Sequence, residues 1–259
     1  MSFLLYCICE APVTPGQPLP EGVPAGVDNQ SVCLISDGGL SAVVSPISGR
    51  VSQGAFDLAR ILAYESVIEA LHAERSVLPV RYATVLEERS EVIEMLHRHQ
   101  EVFLSALREL DGCVEMAIRI LAAGEKDQNA PACSPPRWVR LAGRSPGEGF
   151  RSWSGADYLL ARKHFYAQID GIGVRGAELQ EEFCQALAGL FVQSKKENPL
   201  LSSHFFCRPV ASVDFLVKRE NENAFRQAFR DLSQRRSEMI LLSGPWPPYS
   251  FVPAHPAGG

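Results

Sequence analysis

Short alternating apolar runs and longer helical repeats divide the first half of the chain into strands and helices. Strands are predicted at residues 3–8, 31–36, 40–45, 77–86 and 113–121. Asp37-Gly38-Gly39 separates two of these strands and is a strong hairpin signal. Helical spacing of apolar residues covers 53–74 and 88–110. The mixture predicts an α+β domain in which helices cover one face of a sheet.

The helix predicted at residues 53–74 has an apolar face and a polar face. The apolar face comprises Phe56, Ala59, Ala63, Val67 and Ala70. The opposite face comprises Asp57, Arg60, Glu65, Glu69 and His72. The pattern therefore predicts that His72 lies on the polar side of the helix.

Residues 124–152 interrupt this pattern and are interpreted as a linker or mobile loop, because Pro, Gly and charged residues dominate them. They separate an N-terminal α+β domain at 1–123 from a C-terminal α+β domain at 153–259. The second domain is predicted to be mainly helical over 155–194, then a strand at 205–219. A helix at 221–236, with Phe225, Phe229 and Leu232 inward, and a last strand at 238–244 complete it.

Composition is that of a globular protein, with 46% hydrophobic and 21% charged residues. The net charge of −5 disfavours a nucleic-acid partner, whose binding surface is usually basic. No apolar run reaches the roughly 18 residues that span a bilayer. The first residues lack the basic leader of a signal peptide and are interpreted as a strand. Seven scattered cysteines indicate reduced, buried thiols in a cytoplasmic protein.

Two catalytic patterns fail on physical grounds. "GRSPG" at 143–147 matches a nucleophile elbow, but Pro146 lacks the backbone N–H that an oxyanion hole requires. "GIGVRG" at 171–176 matches a dinucleotide loop, but a polar, helix-like stretch precedes it instead of a buried strand.

Two pairs of possible metal ligands are also weak. Cys7 and Cys9 are better interpreted as buried thiols. His97 and His99 are separated by two positions on a predicted helix, which splays their side chains apart. We therefore predict no catalytic, cofactor-binding or metal-ligating residues, and no cofactor.

The stretch "GPWPPYSFV", Gly244 to Val252, is called the closing segment below. Its prolines fix the backbone and remove hydrogen-bond donors around Trp246. The closing segment resembles the C-terminal signature of the gas vesicle protein F/L family. Further stretches agree in order, namely "GLSAVVSPI" (39–47), "YESVIEALHAERSVLPVRYATVL" (64–86), "ADYLLARK" (156–163) and "VDFLVKRENENAFRQAF" (213–229). Tyr64 and Ala83 depart from the family, which often has His and Gly there.

The resemblance implies two α+β domains, the second with a modified ferredoxin-like fold and long helices. It implies a cytoplasmic, gas-vesicle-associated accessory or minor structural protein that is not an enzyme. Such a protein assists assembly by binding the small, hydrophobic shell protein or other accessory proteins, without a nucleic-acid or membrane partner. The oligomeric state stays open. The alternatives are a small-molecule-sensing ferredoxin-like regulatory module and an enzyme with an unrecognised site.

Three hypotheses describe the closing segment. Its residues Pro245, Trp246, Pro247, Pro248, Tyr249 and Phe251 form either a clamp on the C-terminal domain or a contact for a partner protein. The third hypothesis is a Pro245-x-x-Pro248 ligand of the SH3 type. The Trp246-Pro247 bond is a candidate for the cis form.

A weaker interaction candidate is a basic face on the helix predicted at 221–236. It comprises Arg226, Arg230, Arg235 and Arg236. The alternative is an ordinary solvated helix surface.

Overall fold

The computed structural model describes residues 1–11, 19–20, 22–47, 57–121, 175–197, 209–234, 236 and 238–253. Within these residues the chain is a mixed α+β protein with two antiparallel sheets. The first sheet contains β1 (Ser2–Glu10), β2 (Cys33–Asp37), β3 (Leu40–Ile47), β4 (Leu78–Pro79) and β5 (Val85–Leu86). The helices of the same part of the chain are α1 (Leu58–Glu74), α2 (Arg89–Arg98) and α3 (Gln100–Glu109).

The later elements begin with β6 (Cys113–Leu121) and a helix α4 at 175–186, and continue with β7 (Gln193–Glu197), β8 (Pro209–Lys218), α5 (Glu222–Ser233) and β9 (Met239–Trp246). Strands β6 to β9 form a four-stranded sheet in the order β7-β8-β6-β9. The predicted strand at 205–219 and helix at 221–236 are confirmed with shorter bounds. The predicted linker at 124–152 lies outside the described residues.

The chain forms two compact units. The first comprises Met1–Met116, Leu216–Glu222 and Gly244–Gly259, and the second comprises Ala117–Phe215 and Asn223–Ser243. The sequence assigned Leu216–Glu222 and the closing segment to a C-terminal domain. The structure groups both with the N-terminal residues, because their contacts are made there.

A β-bulge at Tyr6 interrupts the side-chain alternation of strand β1 in the first sheet. The sheet order is β2-β3-β1-β4, with β5 also pairing with β1, and the predicted hairpin of β2 and β3 is confirmed. Leu5 pairs with Val44 and Cys7 pairs with Val43, so Tyr6 is the extra residue of the bulge. The side-chain alternation of β1 shifts there, and Tyr6 and Cys7 both contribute to the same core.

Helices cover both faces of this sheet, whereas the sequence predicted one covered face. The first core lies between the sheet and helices α2 and α3, and includes Leu5, Ile8, Val92, Leu96, Phe103 and Leu107. The second core lies between the sheet and α1, and includes Leu4, Tyr6, Val43, Tyr64, Val67 and Leu71. Strands of a sheet with two buried faces lose strict alternation, and this hid the second covered face in the sequence.

The buried face of α1 differs from the predicted one. The buried residues are Tyr64, Val67, Ile68, Leu71 and His72. The larger side chains of this face bury more apolar area than the alanines of the predicted face. The helix begins at Leu58 because the Asp57 carboxylate accepts hydrogen bonds from the N–H groups of Ala59 and Arg60. Because His72 is among the buried residues of α1, the prediction that it lies on the polar face is wrong.

The predicted helix at 88–110 is two helices that meet at His99, whose φ of −111° and ψ of 15° are not helical. Leu96 and Phe103 are seven residues apart, about two turns, so α2 and α3 still present their apolar residues to the same core.

Aromatic packing dominates the second unit. The Phe215 and Phe225 rings are 5.3 Å apart, and those of Phe183 and Phe229 are 6.0 Å apart. The inward orientation predicted for Phe225 and Phe229 is confirmed. The sequence missed β7, whose exposed Lys195 and Lys196 are typical of a strand at the edge of a sheet.

Tyr64 connects α1 to the first sheet. Its hydroxyl lies 2.9 Å from the carbonyl oxygen of Leu5 and 2.8 Å from that of Val80, to which it donates. Its ring stacks on Tyr6 at 4.9 Å. The hydroxyl of Tyr6 accepts a hydrogen bond from Val27 N at 2.9 Å, so two tyrosines link a helix, a sheet and a loop.

We expect Tyr64→Phe to lower the free energy of unfolding by about 1–2 kcal/mol, because buried carbonyl groups lose a donor. Urea unfolding measures this change. The matched control is Tyr82→Phe, because Tyr82 contacts Tyr64 edge-on and is only half-buried. The control should change stability by less than about 0.5 kcal/mol. Equal effects of the two substitutions would contradict the role of the Tyr64 hydroxyl.

Candidate functional site

The closing segment leaves strand β9 at Trp246 and then folds back into a 3-10 turn at Tyr249–Phe251. Gly244 has a φ of +110°, and a Cβ at this position would lie 2.5 Å from the Glu115 carbonyl oxygen. Glycine is therefore required by both conformation and space. The cis peptide bond of this segment is Gly244-Pro245, whereas the sequence suggested Trp246-Pro247.

Two carboxylates hold the turn by hydrogen bonds. The Tyr249 hydroxyl donates to Glu65 Oε2 on α1 at 2.9 Å. Ser250 donates through its backbone N to Glu115 Oε2 and through Oγ to Glu115 Oε1, both at 2.8 Å. Glu115 is only 6% exposed. A buried carboxylate needs such donors, so this pair of bonds fixes the position of Ser250.

The protonation states of the turn follow from burial. Burial raises the pKa of the Tyr249 hydroxyl, and the nearby Glu65 charge raises that pKa further. Burial also raises the pKa of the Glu65 carboxyl, while the hydrogen bond from Tyr249 acts in the opposite direction. Tyr249 therefore remains a protonated donor at neutral pH.

Apolar contacts hold the same turn on both sides of the first sheet. Phe251 and Val252 pack against the core between the sheet and helices α2 and α3. Tyr249 packs against the core between the sheet and α1. The turn thus contacts both cores of the first unit. The sequence placed this clamp on the C-terminal domain, and its described contacts lie on the first unit instead.

The start of the closing segment is exposed. Pro245 is exposed and Trp246 is 45% exposed, whereas Pro247 and Pro248 are buried. The clamp hypothesis and the partner-contact hypothesis therefore concern different residues of one segment. Burial of Pro248 disfavours the SH3-type ligand, which needs both prolines accessible.

The basic face predicted on α5 is not a continuous surface in the described residues. The helix ends at Ser233, so Arg236 lies beyond it, and Arg235 lies outside the described residues. Arg236 pairs with Glu182 and is 6.0 Å above the Phe183 ring. On the helix, Arg230 is exposed and Arg226 is half-buried.

The weak metal and thiol candidates do not form a site. Burial raises the pKa of the Cys7 and Cys9 thiols, which makes them poor nucleophiles. His97 is near Asp37, and His99 packs against Phe103. Among the described residues no three His, Cys, Asp or Glu side chains are placed to hold a metal ion.

Two further points concern membrane-spanning helices and the rejected catalytic patterns. None of the helices in the described ranges is both long enough and apolar enough to cross a membrane. Both rejected catalytic patterns fall on the undescribed part of the chain, since 143–147 and 171–174 lie there.

The two anchoring carboxylates, Glu65 and Glu115, were not among the site residues predicted from the sequence. Glu115 stands inside the apolar run "CVEMAIRIL", and a charge in a buried strand signals a required partner. Glu65 gave no such signal, because it was assigned to the polar face of the helix. The bonds that position the closing segment join residues 135 and 184 positions apart, which no local pattern encodes.

We expect Phe251→Ala to lower the free energy of unfolding by about 2–3 kcal/mol, since a half-buried ring leaves a core. Trp246→Ala should cost less than about 1 kcal/mol, because the side chain is largely exposed. Urea unfolding of both variants measures the difference. A cost for Trp246→Ala equal to that for Phe251→Ala would show that Trp246 also belongs to the clamp.

Comparisons with known proteins agree with this architecture. The family model described as "Gas vesicle synthesis protein GvpL/GvpF" matches residues 2–253. Gas vesicle protein L of Streptomyces sp. (strain CB03234) is 29% identical, over 90% of this chain and 87% of its own length. Gas vesicle protein F of the same strain is 28% identical, over 86% of this chain and 88% of its own length. These two values do not separate the L type from the F type.

Solved structures show the same fold. The crystal structure of GvpF from Microcystis aeruginosa matches with a TM-score of 0.67 at 18% identity, covering 98% of this chain and 99% of that one. The crystal structure of GvpF from Anabaena sp. PCC7120 matches with a TM-score of 0.66 at 18% identity, covering 98% of this chain and 96% of that one. Because the family model spans nearly the whole chain, this protein belongs to the GvpL/GvpF family of gas vesicle proteins.

Proposed function

We propose that this protein is an accessory protein of gas vesicle assembly that binds the hydrophobic shell protein or another accessory protein. Its family supports a role with gas vesicles. We further propose that it acts in the cytoplasm, associated with the vesicle, and that its role is binding without catalysis. A partner that shields a very apolar subunit needs an apolar surface of its own, presented on a stable scaffold.

The exposed Trp246 is the observation that carries this proposal. The side chain is 45% exposed, although the residues that follow it are buried or half-buried. Aromatic side chains with a fixed backbone are common anchors of protein interfaces, because little conformational entropy is lost on binding. The clamp at Tyr249–Phe251 supplies that fixed backbone on the C-terminal side of Trp246.

Pro245 supports the same contact. It is exposed beside Trp246 and lacks a backbone donor, so burying it against an apolar partner leaves no unpaired N–H there. The neighbouring Gly244 fixes the entry to this corner through its required positive φ. We propose Pro245 and Trp246 as the centre of the contact surface.

We propose a modified ferredoxin-like fold for the later sheet and its helices. The described elements follow the order strand, helix, strand, strand, helix, strand, from β6 through α4, β7, β8 and α5 to β9. The central position of β6 and β8 in the sheet also supports this assignment.

We expect Trp246→Ala to weaken binding of the co-expressed shell protein by at least about 2 kcal/mol, roughly 30-fold in Kd, as for an interface anchor. Co-purification gives the first measurement, and titration of the purified proteins gives Kd. Val102→Ala is the matched control, because Val102 is an apolar residue that is 51% exposed on α3 and belongs to another element.

Circular dichroism first establishes that each variant is folded. Equal binding by the wild type and Trp246→Ala would place the contact elsewhere on the protein. Failure of the wild type to bind shell protein would contradict shell binding. The same assay with other gas vesicle accessory proteins would then test the second class of partner.

A further inference from the structure

His72 is a buried histidine whose ring has no polar partner among the described residues. It lies in the last turn of α1 and is only 7% exposed. Neither Nδ1 nor Nε2 has a hydrogen-bond partner within the described part of the chain. A buried ring nitrogen without a partner is uncommon, and the neutral ring is the form that tolerates it.

Arg219 connects the last turn of α1 to the segment at Arg219–Asn221. Its guanidinium donates from Nη2 to the His72 carbonyl oxygen. This carbonyl is one of the four at a helix end that have no partner within the helix. The backbone N of Arg219 donates to Gly112 O at 2.9 Å. Arg219 therefore connects the end of α1 to the turn at Gly112, both within the first unit.

The surrounding charges offer the ring no acceptor. Lys218 Nζ donates to the Asp111 carbonyl oxygen, and the Asp111 carboxylate accepts from Ser76 Oγ at 2.7 Å. On α1 itself, Glu69 is exposed one turn earlier and Arg75 follows at the helix end. A proton on His72 would thus add a buried cation near the Arg219 guanidinium, whose own side chain is exposed.

We propose that His72 and Arg219 form an acid-sensitive latch that holds residues 219–221 on the first unit and releases them when His72 is protonated. Charging the ring requires desolvation of a cation and opposes the positive guanidinium nearby. The carbonyl end of α1 favours a cation, but this attraction is smaller than the cost of burying an unpaired charge.

The direction of the pH dependence follows from the two states. Burial, and then the Arg219 charge, lower the pKa of His72 from 6.5 to about 4. The unfolded or released state therefore binds a proton at a higher pH than the latched state. Stability from the latch is complete above about pH 6.5 and is lost as the pH falls towards 4. The loss should be about tenfold in the equilibrium constant per pH unit, and roughly 300-fold in total.

The first test is an NMR titration of the His72 ring in the full-length protein, which needs no substitution at the site. A midpoint below pH 5 supports the latch, and a midpoint near 6.5 overturns it. Hydrogen exchange provides the local measurement, after correction for the intrinsic pH dependence of exchange. The Arg219 amide should lose protection between pH 7 and 5, whereas the Val80 amide, bonded to Tyr6 O, should keep it. Equal changes at the two amides would overturn the local release.

Variants then separate this histidine from the others. His72→Phe should remove the loss of stability between pH 6.5 and 4, while the matched control His97→Phe should retain it, because His97 is exposed on α2. An unchanged pH dependence in His72→Phe would overturn the proposal. If His72→Phe does not fold, Arg219→Leu provides the second variant. It should raise the His72 midpoint, and an unchanged midpoint would contradict the part assigned to Arg219.

Discussion

The buried carboxylate of Glu115 is the constraint on which the arrangement of the closing segment depends. A carboxylate that is 6% exposed is costly unless donors reach it, and Ser250 donates to both of its oxygens. These bonds fix the turn at Tyr249–Phe251, whose aromatic side chains pack into the two cores of the first unit. The position of this turn determines where the exposed side chain of Trp246 lies on the protein surface. Stability and the proposed binding surface are therefore properties of adjacent residues in one segment.

Local patterns were sufficient to predict most of the elements. The strand at 3–8, the hairpin at Asp37-Gly38-Gly39 and the aromatic face of α5 depend on alternation, turn residues and helical spacing. The prediction of the buried face of α1 was wrong because the helix carries one face rich in alanine and another with larger apolar side chains. Packing buries the larger side chains, since they remove more apolar area from water. The polar strand β7 gave no hydrophobic signal, since lysines protect an edge strand. The bulge at Tyr6 was not predicted either, because it lies inside a continuous apolar run.

The candidate site was predictable only in part. The unusual composition of the closing segment indicated rigidity and contact, and it carried the family resemblance that the family model confirms. Which residues are buried and which are exposed depended on Glu65 and Glu115, which lie far away in sequence. Hydrogen bonds between distant residues have no local periodicity, so the division between anchor and exposed aromatic required the structure. The same reasoning applies to His72, whose burial contradicted its helical pattern.

Photo-crosslinking at position 246 is a direct test of whether Trp246 contacts a partner protein. Trp246→p-benzoylphenylalanine places a photoreactive ring at the exposed end of the closing segment. Val102→p-benzoylphenylalanine provides a reference of similar exposure on α3. Each protein is irradiated with the shell protein and, separately, with the other accessory proteins. We expect a covalent adduct with one of these partners from position 246 and none from position 102. Adducts from neither position, or from position 102 alone, in a mixture that still co-purifies would contradict a contact centred on Trp246.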